Sequence, residues 1–122
     1  AIKDNGAKAI LQIFHAGRQS NSRVLNGEQP VSASAVAAPR DNAEVPREMT
    51  EEEIEKTIAS FKEATRRAIE AGFDGVEIHG ANTYLIHQFF SPHSNRRTDK
   101  WGGNLEKRMT FPLAIVEAVQ NG

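Results

Sequence analysis

The sequence predicts an α/β fold, about two β/α units with parallel strands, and three observations lead there. Ala9–Phe14 (AILQIF) is nearly continuously apolar, the pattern of a parallel strand covered on both faces. Residues 51–71 repeat apolar side chains at the 3.6-residue period of an amphipathic helix. Phe73–His79 (FDGVEIH) then reads as a second strand, so strand, helix and strand follow in the order of a parallel crossover.

The opening AIKDNGAK reads as the tail of a helix. Gln12 interrupts the first strand, and a glutamine there must find hydrogen-bond partners or cost the fold free energy. The strand runs into His15-Ala16-Gly17-Arg18, where glycine permits a sharp turn. Residues 19–49 are rich in Ser, Asn, Ala and Pro and show no periodicity. An irregular stretch of that length is functional or disordered, and here it is expected to pass over an active-site face.

Thr50 opens the long helix. Thr50 and Glu53 have capping-box spacing, and Glu51 and Glu52 sit at the positive end of the dipole. Ile54, Ile58, Phe61, Thr65, Ala68 and Ile69 form its apolar stripe, and Gly72 is placed to end it. After the second strand, Tyr84–Phe90 predicts one or two helical turns, and a polar loop runs from Ser91 to Gly103. Asn104 can cap a last helix with Leu105, Met109, Pro112, Val116 and Val119 on one face. Pro112 should kink that helix or set its first well-formed turn.

Composition narrows the function. The 122 residues, 39% of them hydrophobic, suffice for one modest core. With 15 basic and 16 acidic side chains the net charge is −1, and the densest basic cluster, at 96–100, is broken by Asp99. No nucleic-acid partner is expected. No apolar run approaches the roughly 18 residues of a membrane span, and the N-terminus has no secretory core. The absence of cysteine excludes disulfides, thiolate zinc and iron–sulfur ligation within these residues, and the default setting is cytoplasmic. His15, His79, His87 and His93 lack the short pairing of zinc sites, so no metal is expected.

Polar residues collect at the C-terminal ends of both strands: Gln12 and His15 on one, His79 and Asn82 on the other. In (β/α)8 barrels that end carries the chemistry, and two units make about a quarter of such a barrel. The chain is therefore expected to be cut from something longer. The spacing of His79 and Asn82 brings both side chains to one side if the turn after the strand is helical.

Residues 77–103 (EIHGANTYLIHQFFSPHSNRRTDKWGG), together with QIFHAGR at 12–18, resemble the old yellow enzyme family of FMN-dependent oxidoreductases. The resemblance runs along essentially the whole chain. It implies that residues 1–122 are a partial FMN-binding TIM-barrel domain, the third and fourth β/α units of a (β/α)8 barrel roughly three times this length. By the same resemblance Gln12 hydrogen-bonds the flavin pyrimidine, His79 and Asn82 hold the substrate carbonyl oxygen, and Tyr84 is the proton donor. The implied reaction reduces an enone-type small molecule with NAD(P)H as electron source. Two neutral donors at one oxygen would stabilise the enolate-like charge, and a tyrosine on the opposite face would protonate the α-carbon.

Thr83 departs from the glycine the family often has there, and Trp101 from another aromatic. Thr83 either narrows the substrate site or faces a neighbouring loop. A dienoyl-CoA-reductase-like member is an alternative, though that branch tends to lack the His/Asn pair kept here. A second alternative is a non-catalytic segment that does not bind FMN alone, with unpaired sheet edges that self-association as a homo-oligomer would hide. His15 and Arg18 either shape their loop or contact neighbouring barrel loops, and His87 reads as packing or surface. The Arg96–Gly103 loop reads as bracing for the barrel rim rather than as a phosphate site.

Overall fold

A computed structural model describes all residues 1–122. The first apolar run becomes β1 (Ile10–Ile13), and Gly75–Ile78 becomes β4, paired parallel to it with Ile10 opposite Gly75 and Ile13 opposite Ile78. Asp74 N–H to Ala9 C=O (2.8 Å) and His79 N–H to Ile13 C=O (3.0 Å) extend the ladder beyond both ends.

Between the strands lies α1 (Glu51–Glu70). Its first turn is the expected capping box: Thr50 Oγ1 accepts from Glu53 N–H, and Glu53 accepts from Thr50 N–H. Its end is a Schellman motif, with Phe73 N–H on Ala68 C=O, Gly72 N–H on Ile69 C=O, and Gly72 at φ 100°. Ile54, Phe61, Thr65 and Ala68 are buried as the stripe requires, but Ile69 lies at its margin and is half exposed.

The excursion at 19–49 is more ordered than its sequence suggests. Val31–Ser32 (β2) and Arg47–Glu48 (β3) form a short parallel pair, and Pro30, Ala33, Ala38, Pro46 and Met49 are buried. Strands of two residues are too short to carry a period-2 signal, so no pattern announced them.

After β4 come α2 (Leu85–Phe90), α3 (Leu105–Arg108) and α4 (Thr110–Gln120). Asn104 caps α3 by accepting from Lys107 N–H. The expected single last helix is divided at Met109, and Pro112 sits in the first turn of α4, where its missing N–H costs least. That break changes the buried face. Phe111 and Ile115 are fully buried, whereas Leu105 and Val116 are exposed.

The core joins α1, α2 and α4. Phe89 stacks on Phe111 with centroids 4.3 Å apart, and Trp101 meets Phe111 edge-on at 6.4 Å. Each main strand has only one partner, and Ile10, Leu11 and Phe14 of the β1 segment remain exposed. No helix is long and apolar enough to cross a membrane.

Candidate active site

The register sorts side chains onto two faces of the β1–β4 pair. Ile13 and Ile78 point one way and pack on the core under α1. Gln12 and Glu77 point the other way, as do Phe14 and His79 two residues on. The face turned from α1 thus carries three polar side chains, one of them the His79 imidazole, and the phenyl ring of Phe14. Gln12 Nε2 donates to Glu77 Oε1 at 3.3 Å, and the Gln12 carbonyl oxygen has no protein partner.

Three rings meet at the C-terminal end of β4. Tyr84 stacks on Phe14 at 5.2 Å between centroids and stands edge-on to His79 at 4.7 Å, with Phe14 and His79 6.0 Å apart. His79 Nδ1 accepts the Ala81 N–H at 3.3 Å, which leaves Nε2 to carry the ring proton as a donor.

Asn82 lies in the turn between these rings. Tyr84 N–H donates to Ala81 C=O at 3.1 Å, while Asn82 has φ 53° and Thr83 φ 62°, the form of a type I′ turn. The helical turn that would set His79 and Asn82 side by side is therefore not formed. The Asn82 side chain is exposed and bonds no protein group. Asparagine tolerates the left-handed region, but a β-branched threonine there is strained.

The strain at Thr83 is held by three other side chains. Thr83 N–H donates to His87 Nδ1 at 3.0 Å, Gln88 Nε2 donates to Thr83 C=O at 2.6 Å, and Gln19 Nε2 donates to Thr83 Oγ1. Of the two readings of Thr83, the structure shows the neighbouring-loop contact. His87, expected as packing or surface, is a hydrogen-bond acceptor for the turn.

His15 and Arg18 shape their own loop. His15 Nδ1 accepts Gly17 N–H at 3.0 Å, and burial lowers the imidazole pKa. Arg18 is buried and donates to the carbonyls of Val36 and Ala37, so it ties the turn after β1 to the excursion. The 91–103 loop is likewise internal bracing: Asn95 Nδ2 donates to Phe89 and Trp101 carbonyls, and Arg97 Nη1 to those of Ala33 and Met49.

The largest cavity, about 740 Å³ between the excursion and α1, is lined by His15, Arg47 and Glu53 and touches none of Gln12, His79, Asn82 or Tyr84. Those residues sit on an open sheet face. Sequence reasoning missed Phe14, Glu77 and Gln88 on or beneath that face. Phe14 and Glu77 were accessible by strand alternation from Gln12 and His79; a lone glutamine in an apolar helix carries no comparable signal.

The chain matches the model of the NADH:flavin oxidoreductase / NADH oxidase family over residues 1–122. It is 69% identical over 116 residues to the NADH:acrylate oxidoreductase of Vibrio harveyi, covering 95% of this chain and 12% of that protein. It is 58% identical over 117 residues to the NADH:fumarate oxidoreductase of Klebsiella pneumoniae, covering 96% of this chain and 13% of that protein. It also superposes on the old yellow enzyme homologue of Zymomonas mobilis with a TM-score of 0.89 at 38% identity, covering 95% of this chain and 35% of that one. The chain thus spans 12–13% of these curated relatives and about a third of the solved structure, and its two β/α units are part of a (β/α)8 barrel. With the family matched from end to end, the chain belongs to the NADH:flavin oxidoreductase / NADH oxidase family, an enzyme family that uses FMN with NAD(P)H as reductant.

Proposed function

We propose that residues 1–122 serve as the third and fourth β/α units of a complete barrel that reduces activated alkenes, such as α,β-unsaturated carbonyl compounds. The observation that carries this reading is the ring cluster at the end of β4: a phenol and an imidazole 4.7 Å apart, on the sheet face opposite α1. The names of two relatives support the substrate class, because acrylate and fumarate are both alkenes conjugated to a carboxylate.

The residues present fit FMN. Gln12 offers an exposed amide with a free carbonyl oxygen and an N–H engaged only at 3.3 Å, a donor–acceptor pair suited to a pyrimidine edge. FMN held there by Gln12 would provide the hydride chemistry, with NAD(P)H as the reductant. His79 Nε2–H would hold the carbonyl oxygen and stabilise the negative charge that grows on it, and the exposed, unengaged Asn82 amide is the second donor available to it. Tyr84 gives its phenolic proton to the α-carbon, so the alkene gains one hydride and one proton in all. The setting proposed for this reaction is the cytoplasm, the default for a cysteine-free sequence.

A second reading is supported by the open sheet edges and by Ile10 and Phe14, 53% and 54% exposed. Residues 1–122 alone then act as a barrel segment that does not retain FMN.

The test is anaerobic visible spectroscopy of the protein that carries these residues with the rest of the barrel. Oxidised flavin bands should bleach with NAD(P)H and return on adding acrylate, fumarate or a simple enone. Bands that bleach and return only with oxygen would refute alkene reduction.

A further inference from the structure

We propose that Gln88 is the positioning residue of this site, because its buried amide ties the turn bearing Asn82 and Tyr84 to the loop after β1 and to β2. This rests on the roles given above to Asn82 and Tyr84.

The Gln88 side chain is 1% exposed and its hydrogen-bonding capacity is filled. Oε1 accepts from Arg18 N–H at 3.1 Å and from Ser32 Oγ–H at 2.7 Å. Nε2 donates to Ala16 C=O at 3.1 Å and to Thr83 C=O at 2.6 Å. The Gln88 backbone N–H donates to Tyr84 C=O at 2.9 Å, so one residue grips two successive carbonyls of the candidate catalytic segment. Leu85 N–H on His15 C=O, at 2.9 Å, ties the next residue to the same β1 loop.

The grip matters because of what it holds. Thr83, at φ 62°, occupies a backbone region that β-branched residues avoid. Released, the turn would relax toward negative φ and carry Asn82 and Tyr84 with it in different directions. No other residue of similar size meets the four partners. Leucine fills the volume but orphans them, glutamate has no donor for the Ala16 and Thr83 carbonyls, and asparagine is one methylene short. The backbone of Gly17 closes the arrangement: a Cβ there would lie 2.2 Å from Gln88 Oε1.

The experiment compares Gln88→Leu, Tyr84→Phe and the double variant in the full-length, flavin-loaded protein. Flavin content is read from the visible spectrum, and alkene reduction by stopped flow with the best acceptor found above. Gln88→Leu should retain flavin and slow alkene reduction by ~10- to 100-fold, the cost of misplacing a reacting group by about an ångström. The double variant should fall short of the product of the single effects, since part of the Gln88 effect acts through Tyr84. Single effects that multiply, or a Gln88→Leu protein of full activity, would overturn the positioning role. A Tyr84→Phe protein of full activity would instead overturn the proton-donor reading itself. If Gln88→Leu does not accumulate folded, Gln88→Glu is tested with and without Thr83→Gly, because glycine adopts φ 62° without the clamp. Thr83→Gly should restore alkene reduction to Gln88→Glu; a folded double variant without recovery would refute the inference.

Discussion

The phenol of Tyr84 stands edge-on to the imidazole of His79, with ring centroids 4.7 Å apart, and Phe14 supports the phenol from β1 by stacking at 5.2 Å. A proton donor held this way is aligned by packing, so removing its hydroxyl should leave the rings in place. Tyr84→Phe is expected to slow alkene reduction by ~10²–10⁴-fold, the range for losing a general acid. Reduction of the flavin by NAD(P)H needs no proton from Tyr84 and should change by no more than about 2-fold. Separate stopped-flow measurements of the two half-reactions check this; equal losses in both would show that Tyr84 does something other than donate the proton.

Gly17 has φ 57°, and its missing side chain leaves room for the Gln88 amide. Alanine there would meet Gln88 Oε1 at 2.2 Å, with the amide held at four points and unable to retreat. Left-handed strain of ~1–2 kcal/mol adds to the cost of displacing buried hydrogen bonds, ~1–3 kcal/mol. Gly17→Ala should therefore lose about 2–5 kcal/mol in denaturant unfolding. A loss below about 1 kcal/mol would mean that the loop after β1 shifts freely.

How much was legible depends on what the sequence encodes locally. β1, α1 and β4 were read to within one or two residues, because apolar runs and caps such as Thr50 and Gly72 act through their own neighbours. The buried face of the last helix was misread because the chain breaks at Met109, and the break rotates Phe111 and Ile115 inward in place of Val116. The turn at Asn82 and Thr83 was illegible for a different reason. Thr83 disfavours its own conformation, and the side chains that hold it there come from Gln19, His87 and Gln88. His79 and Tyr84 were singled out from a longer signature, but their ring contact with Phe14 depends on the β1–β4 register, which no local pattern fixes.

The capping box of α1 should give stability a definite pH dependence. Arg47 hydrogen-bonds the Glu53 carboxylate through two nitrogens at 2.7 Å each, Thr50 N–H adds a third bond, and together they lower its pKa from 4.5 to about 2. The folded pKa is depressed, so the stabilisation is complete above pH 4.5 and is lost as pH falls toward 2. A shift of this size corresponds to about 3 kcal/mol, but the side chain is one-third exposed and screening reduces it to about 1 kcal/mol. Glu53→Gln should be about 1 kcal/mol less stable at neutral pH, and the difference should vanish near pH 2. Urea unfolding at a series of pH values measures it, and a gap independent of pH would remove the charge from the explanation.

Arg97 fastens the excursion to the loop before α3. It is buried; Nη1 donates to Ala33 C=O at 3.0 Å and Met49 C=O at 2.7 Å, while Nε and Nη2 reach the two Asp99 oxygens at 3.1 and 2.6 Å. That pairing holds the Asp99 carboxyl below the usual carboxylate range. A lysine ammonium cannot serve two carbonyls and both carboxylate oxygens at once, so Arg97→Lys strands part of this set in a buried place. The expected loss is about 2–3 kcal/mol, read as a lower melting temperature. The guanidinium is consumed by protein acceptors, so KM for NAD(P)H should not move. A raised KM with unchanged melting would make the loop an anion-binding site and reverse its assignment as bracing.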